Sequence, residues 1–237
     1  MYYSKKLSLL FIGSPKSGCF SVQKHLMKID ADGQTGSLAM DHKKITSKDM
    51  HFGVVGHARA WELKSAIGEE VYNQLQVLGF VRHPFDKLIS SYSFNKKGKL
   101  LSSLHMKGEK KMLTRKIKGL LSSLAPKILP IGVWALLFPM KTSYEYFFDR
   151  KGNRIVKYLG RTDHLNEDLF AILKNIGITS NLNIPHINQS QHKARDQYFK
   201  NPWIEKTLAK KYSRDIELYD LAEKEMQEIH KKLNVNN

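Results

Sequence analysis

The chain has 237 residues, 41% of them hydrophobic, which suits one large α/β domain or a domain carrying one sizeable insertion. Its formal net charge is +17, from 39 Lys+Arg against 22 Asp+Glu, so its surface field draws in anions. The single cysteine, Cys19, excludes an internal disulfide framework and any multi-cysteine zinc site.

From Met1 the chain passes through Lys5-Lys6 into an apolar run, Leu7 to Gly13, leaving no room for the apolar core and cleavage site of a signal peptide. The expectation is a cytoplasmic protein. Leu7–Gly13 reads as a strand, followed by a small loop and a helix with Val22, Leu26 and Ile29 on one face. Phe52 to Val55 reads as a short buried strand, Trp61 to Tyr72 as helix, and Leu75 to Val81 as a further strand. A basic helix starts at Pro84, whose fixed φ and missing N–H suit a first turn. Ile155 to Leu159 reads as strand, and Leu165, Leu169, Leu173 and Ile176 keep helical spacing. Two helices, around Ile204 to Tyr212 and Ile216 to Leu233, follow. Strand and helix alternate, so the expected architecture is a three-layer α/β fold, a mainly parallel sheet flanked by helices. Its ligand site is expected beyond the carboxyl ends of the strands. All 237 residues read as one domain.

The loop Ser14-Pro15-Lys16-Ser17-Gly18, with Cys19-Phe20-Ser21 opening the helix, is the first candidate site. A tight loop before a helix aims several backbone N–H groups and the positive end of the helix dipole at one point, and Lys16 adds a full charge. Gly13 and Gly18 keep the G-x-x-x-x-G spacing of a nucleotide-binding P-loop. Cys19-Phe20, however, occupy the place where the ATP- and GTP-binding version carries Lys-Ser/Thr, so no Mg²⁺ ligand is evident. The loop favours an anionic nucleotide handled without a metal. Beside Lys16 at a helix N-terminus the Cys19 thiol pKa would be lowered, but no catalytic partner is in view, and a packing role is preferred.

Charge is concentrated between Lys96 and Lys127, where Glu109 is the only acidic residue, and Leu113, Ile117, Leu120, Leu121 and Leu124 recur at helical spacing. The readings are a solvated insertion helix, a groove for an acidic polymer, or contact with an anionic membrane surface. Nucleic acid is not expected, since no recognised binding motif accompanies the charge. The apolar run Ile128 to Met140 is too short to span a bilayer and holds two prolines and a glycine, so it reads as a buried segment or a cover over the site. Together 96–140 forms a basic and apolar insertion. A second constellation, Gly79 to Tyr92, places Arg82 at the end of a strand and Ser90 about two turns into the next helix. Arginine's planar fork and a serine hydroxyl both suit a phosphate.

Pro15-Lys16-Ser17-Gly18 resembles the 5′-phosphosulfate loop of sulfotransferases. Arg82-x-Pro84-x-x-Lys87-x-x-Ser90-x-Tyr92 resembles their 3′-phosphate motif, with Lys87 at a place usually held by Arg. Gly160-Arg161-Thr162-Asp163-His164-Leu165-Asn166-Glu167-Asp168 is similar to the G-R-x-E-x-L-x-x-D segment of the carbohydrate-type sulfotransferase family 2. Pro185 to Ser190 followed by Tyr212 to Glu217 is similar to that family's carboxyl-terminal pattern. The resemblance implies a P-loop-like fold and transfer of a sulfuryl group from 3′-phosphoadenosine 5′-phosphosulfate (PAPS) to a hydroxyl or amine, without a metal. Lys16 would stabilise the leaving phosphate, with the backbone of Ser17, Gly18, Cys19, Phe20 and Ser21 completing the cradle, and Arg82 and Ser90 would hold the 3′-phosphate. His57, with an unperturbed pKa of about 6.5, would be the base, and Glu62 is the fallback unless Arg59 pairs with it. Family loops carry Thr or Ser at the Cys19 or Phe20 place, so here only Ser17 and Ser21 supply hydroxyls. The acceptor expected is a sugar or polysaccharide. The alternative is a non-catalytic basic module that binds an acidic polymer or an anionic membrane surface, and oligomeric state is not encoded legibly.

Overall fold

Leu9–Gly13 is wholly buried because its alternate side chains serve opposite faces of one sheet. The computed structural model describes residues 1–35, 57–97, 124–179 and 195–235. These form two compact units, Met1–His83 with Lys141–Gln189 and Arg214–Asn237, and Pro84–Met140 with Ser190–Ser213.

The first unit contains β1 (Tyr2–Ser4), β2 (Leu9–Gly13), α1 (Cys19–Ile29), β3 (Gln34–Thr35), α2 (Ala60–Ile67), α3 (Glu69–Gln74) and β4 (Gln76–Val81). Its remaining strand is β5 (Tyr158–Arg161); the second unit's α4 (Pro84–Lys97) and α5 (Ile131–Leu137) precede α6 (Tyr144–Phe147), and α7 (Leu165–Asn175) follows β5. The second unit also holds α8 (Pro202–Lys211), and α9 (Ser213–Val235) runs on into the first.

The sheet order is β3-β1-β2-β4-β5. β2, β4 and β5 are parallel neighbours, with Gly13 opposite Phe80 and Phe80 opposite Gly160. The other two pairings are antiparallel: Tyr2 opposes both Phe11 and Thr35. The sheet is therefore mixed, where the sequence led us to expect a mainly parallel one. Lys5-Lys6 lie in the turn of a hairpin, and the strand before them is only three residues long, too short to carry a periodic signal.

Strand alternation sorts the core into two layers. Leu10, Ile12, Val77 and Val81 face Ala60 and Leu63 of α2, Tyr146 and Phe147 of α6, and Leu218 and Ala222 of α9. Leu9, Phe11, Leu78 and Phe80 face Val22 and Leu26 of α1, Leu169 and Ile172 of α7, and Met226 of α9. Helices thus cover both faces, and α9 contributes to both layers. The helix expected over Trp61–Tyr72 is broken in two at Gly68, whose φ of 94° lies in the left-handed region. The strand expected at Ile155–Leu159 begins instead at Tyr158. The strand expected at Phe52–Val55, the helical pattern before Leu124, and the Pro185–Ser190 segment lie outside the described residues.

Within the second unit, α5 packs Gly132 against Ile204 of α8 so closely that a Cβ there would lie 3.1 Å from Ile204 Cγ2. Phe85 meets Phe199 and Tyr92 meets Trp134 edge to face, and the Tyr92 hydroxyl donates to the Leu129 carbonyl at 2.9 Å. Asn201 caps α8 through Trp203 N and Ile204 N, with Pro202 in the first turn. Of the apolar run, Ile131, Trp134 and Ala135 are buried, while Ile128 and Leu137 are exposed. No helix among the described residues is long and apolar enough to cross a membrane.

Candidate active site

The loop between β2 and α1 is organised around one oxygen. The Ser14 carbonyl accepts from Ser17 N at 3.4 Å, Ser17 Oγ at 2.7 Å and Cys19 Sγ at 2.8 Å, while Ser14 Oγ donates to Ser17 Oγ at 2.9 Å. Ser14 and Ser17 are fully buried. The Ser17 hydroxyl expected at a phosphate is thus turned into the loop. Cys19 does the same, and burial pushes its thiol pKa up rather than down, so the lowered pKa expected beside Lys16 is corrected. Its Sγ ties the start of α1 back to the Ser14 carbonyl. Ser21 is buried on α1, and Phe20 is 59% exposed with Lys24 Nζ 5.9 Å above its ring.

Lys16 and Gly18 take left-handed backbone angles, φ 67° and 71°. For lysine that conformation costs about 1–2 kcal/mol. A Cβ at Gly18 would reach ordinary van der Waals contact with Leu165 Cδ1 at 3.4 Å, so the loop lies against the start of α7. The consequence is a chain that enters α1 abruptly: Ser21 N and Val22 N donate to the Gly18 carbonyl at 3.0 and 3.2 Å, while the N–H groups of Cys19 and Phe20 have no acceptor within the helix itself. Arg82 follows β4, the parallel neighbour of β2, and its Nη1 donates to the Lys16 carbonyl at 3.4 Å. Burial, with Arg82's charge as the second cause, holds the Lys16 ammonium below the usual lysine range. Two cations held together at the loop suit a multiply charged anion.

His57 reaches the same end of the sheet. Its Nδ1 lies 2.9 Å from the Gly13 carbonyl, and its ring meets Tyr146 edge to face with centroids 6.4 Å apart. A carbonyl can only accept, so Nδ1 carries the proton and Nε2 is the basic nitrogen of the neutral ring. Glu62 is differently engaged: Oε2 accepts from Arg59 N at 2.7 Å and Oε1 lies 3.7 Å from Arg59 Nη1. It caps the start of α2, and Arg59 is the partner the sequence suggested.

Lys16, Ser17, Gly18, Cys19, Phe20, Ser21, Arg82 and His57 are therefore gathered at the carboxyl ends of β2 and β4 in the first unit. Ser90 is buried on α4 of the second unit, as is Lys87. The Gly160–Asp168 segment is a structural lock. Asp168 accepts from Arg161 N at 2.7 Å, Nε at 2.9 Å and Nη2 at 3.0 Å, with both side chains buried. Asp215 of the carboxyl-terminal pattern accepts from Ser143 N and Tyr144 N, holding α6. Among the described residues no cluster of three or more His, Cys, Asp or Glu could hold a metal ion.

The sequence model of the sulfotransferase family matches residues 1–119, half of the chain, and takes in the loop, His57, Arg82 and Ser90. This chain belongs to sulfotransferase family 2. No curated protein and no solved structure gives a significant match. Family membership makes the protein a transferase whose class of chemistry is sulfuryl transfer. The Arg161–Asp168 lock of this sulfotransferase lies beyond the matched residues. Sequence reasoning missed the Ser14 and Gly13 carbonyls and Tyr146. The Ser-x-x-Ser spacing of Ser14 and Ser17 is a local signal for the first, whereas nothing in the sequence joins Tyr146 to His57, 89 positions earlier.

Proposed function

We propose that this sulfotransferase moves a sulfuryl group from PAPS to a hydroxyl or amine of a carbohydrate-type acceptor. The observation that carries the reading is the convergence of Lys16, Arg82 and the His57 ring at the loop that follows β2, with His57 Nδ1 on the Gly13 carbonyl. Two cations and the first-turn amides of Cys19 and Phe20 fit the phosphates of such a donor. The loop's spacing and the strand–loop–helix order support a P-loop-like cradle. In the transfer the acceptor oxygen bonds to sulfur as the sulfur–oxygen bond to the 5′-phosphate breaks. His57 Nε2 takes the acceptor proton, and the Lys16 ammonium steadies the charge growing on the leaving phosphate. Ser90 enters the proposal on the sequence motif alone, as a hydroxyl for the 3′-phosphate. We further take the chain to work in the cytoplasm, without a metal.

The test is thermal stabilisation by 3′-phosphoadenosine 5′-phosphate (PAP) in EDTA, alongside transfer of labelled sulfate to polysaccharide, glycolipid and phenolic acceptors. Stabilisation by Mg-ATP but not by PAP would overturn the reading. His57→Gln is expected to lower turnover about 10²–10⁴-fold while PAP binding stays within a few-fold. Equal loss of both, measured by calorimetry and transfer assay, would assign His57 to the fold of the loop instead.

A pH dependence follows from Lys16. PAP favours the charged lysine, so affinity is expected to hold while Lys16 is protonated and to fall, by at most about tenfold per pH unit, as pH rises through its depressed pKa. In the empty protein the sign is opposite. Burial disfavours the ammonium there, so the Lys16 contribution to stability rises with pH. Titration calorimetry with PAP above neutral pH, on wild type and Lys16→Gln, checks this: the slope should be absent in the variant.

A further inference from the structure

We propose that the second unit is a docking surface for an anionic membrane. Charge is divided unevenly between the units. Among the described residues the smaller unit carries 9 Lys+Arg against 3 Asp+Glu, a net +6, and the larger unit 19 against 16, a net +3. In the smaller unit Lys96, Lys127, Lys200, Lys206, Lys210 and Lys211 are all exposed.

Apolar exposure follows the same division. Nine large apolar side chains are exposed among the described residues, and five of them belong to the smaller unit: Phe94, Ile128, Val133, Leu137 and Trp203. Ile128 is 76% exposed, Trp203 67% and Leu137 62%. The same unit holds a cavity of about 430 Å³ lined by Val133 of these five, beside Lys96, Lys200 and Ile204, with no acidic residue in its lining. Lysines with exposed Trp, Phe and aliphatic side chains match the two parts of a membrane interface: anionic headgroups for the charge, and the acyl boundary for the apolar groups. An acidic polysaccharide would use the lysines and leave Ile128 and Leu137 in water, so the lipid surface is the better complement.

The experiment is co-sedimentation of the full chain with phosphatidylcholine vesicles, with and without ~30% phosphatidylserine. Binding is expected only with phosphatidylserine, with a blue shift of tryptophan emission that Trp203→Ser removes. Lys→Gln substitution together at Lys200, Lys206, Lys210 and Lys211 is expected to lower partitioning at least ~100-fold, and Trp203→Ser about tenfold. Lys5→Gln with Lys6→Gln, exposed lysines of the first unit, should leave it unchanged. All these side chains are exposed, and circular dichroism confirms that each variant folds. Equal binding to neutral vesicles, equal loss from Lys5/Lys6 and second-unit substitutions, or retention on heparin without vesicle binding would each overturn the proposal, the last in favour of an acidic polymer.

Discussion

Lys16→Ala is expected to lower sulfuryl transfer by about 10²–10³-fold, the range seen when one preorganised charge stabiliser is removed. The loop itself should survive. Its shape is held by hydrogen bonds from Ser17 and Cys19 to the Ser14 carbonyl, none of which uses the Lys16 side chain. Burial first and the Arg82 charge second both disfavour this ammonium in the empty protein. The expected signature is therefore lost turnover without a fall in melting temperature. Lys16→Gly separates the terms further, because glycine relieves the left-handed backbone at φ 67° and should be as inactive but about 1 kcal/mol more stable than Lys16→Ala. Labelled-sulfate transfer and scanning calorimetry on both variants decide it, and turnover within a few-fold of wild type would remove Lys16 from the chemistry.

Asp168→Ala is expected to do the reverse, destabilising the fold by about 3–5 kcal/mol through an unpartnered buried charge. Asp168 is fully buried and takes three hydrogen bonds from Arg161, a residue only 8% exposed. The pairing raises the Arg161 pKa further above its usual value. Glu223, 3.6 Å from Arg161 Nη1 and half exposed, replaces little of what Asp168 supplies. For a chain of this size the melting temperature should fall by about 10 °C. Arg161→Met with Asp168→Leu should be milder than Asp168→Ala alone, since removing both partners leaves no buried charge behind. Scanning calorimetry of the three proteins measures this directly, and a shift within 2 °C for Asp168→Ala would show that the lock is dispensable.

The two substitutions divide motifs that look alike on the page. Lys16 and Asp168 both stand in family-like segments, yet one lies in the loop between β2 and α1 that we propose holds the donor and the other fastens β5 to α7. Sequence spacing gives no hint of that difference, because it depends on what lies across the fold. The same holds for Glu62 and His57, five positions apart: the carboxylate turns back onto its own helix start, while the imidazole reaches the end of β2.

Local pattern was enough for the strand–loop–helix from Leu9 to Ile29, for Arg82 after a strand, and for the helices of the carboxyl-terminal third, because alternation and helical spacing are properties of neighbouring residues. The residues we propose for the site were nominated for the same reason: loop lysine, strand-end arginine and family motif are all local. Tertiary structure alone decided the antiparallel hairpin of Tyr2–Ser4, the break at Gly68, the inward turn of Ser17 and Cys19, the protonated nitrogen of His57 and the partition of charge between units. Each depends on a backbone carbonyl, a packing partner or a chain segment far away in sequence. Such long-range contacts fix hydrogen-bond partners and burial, which periodicity does not encode.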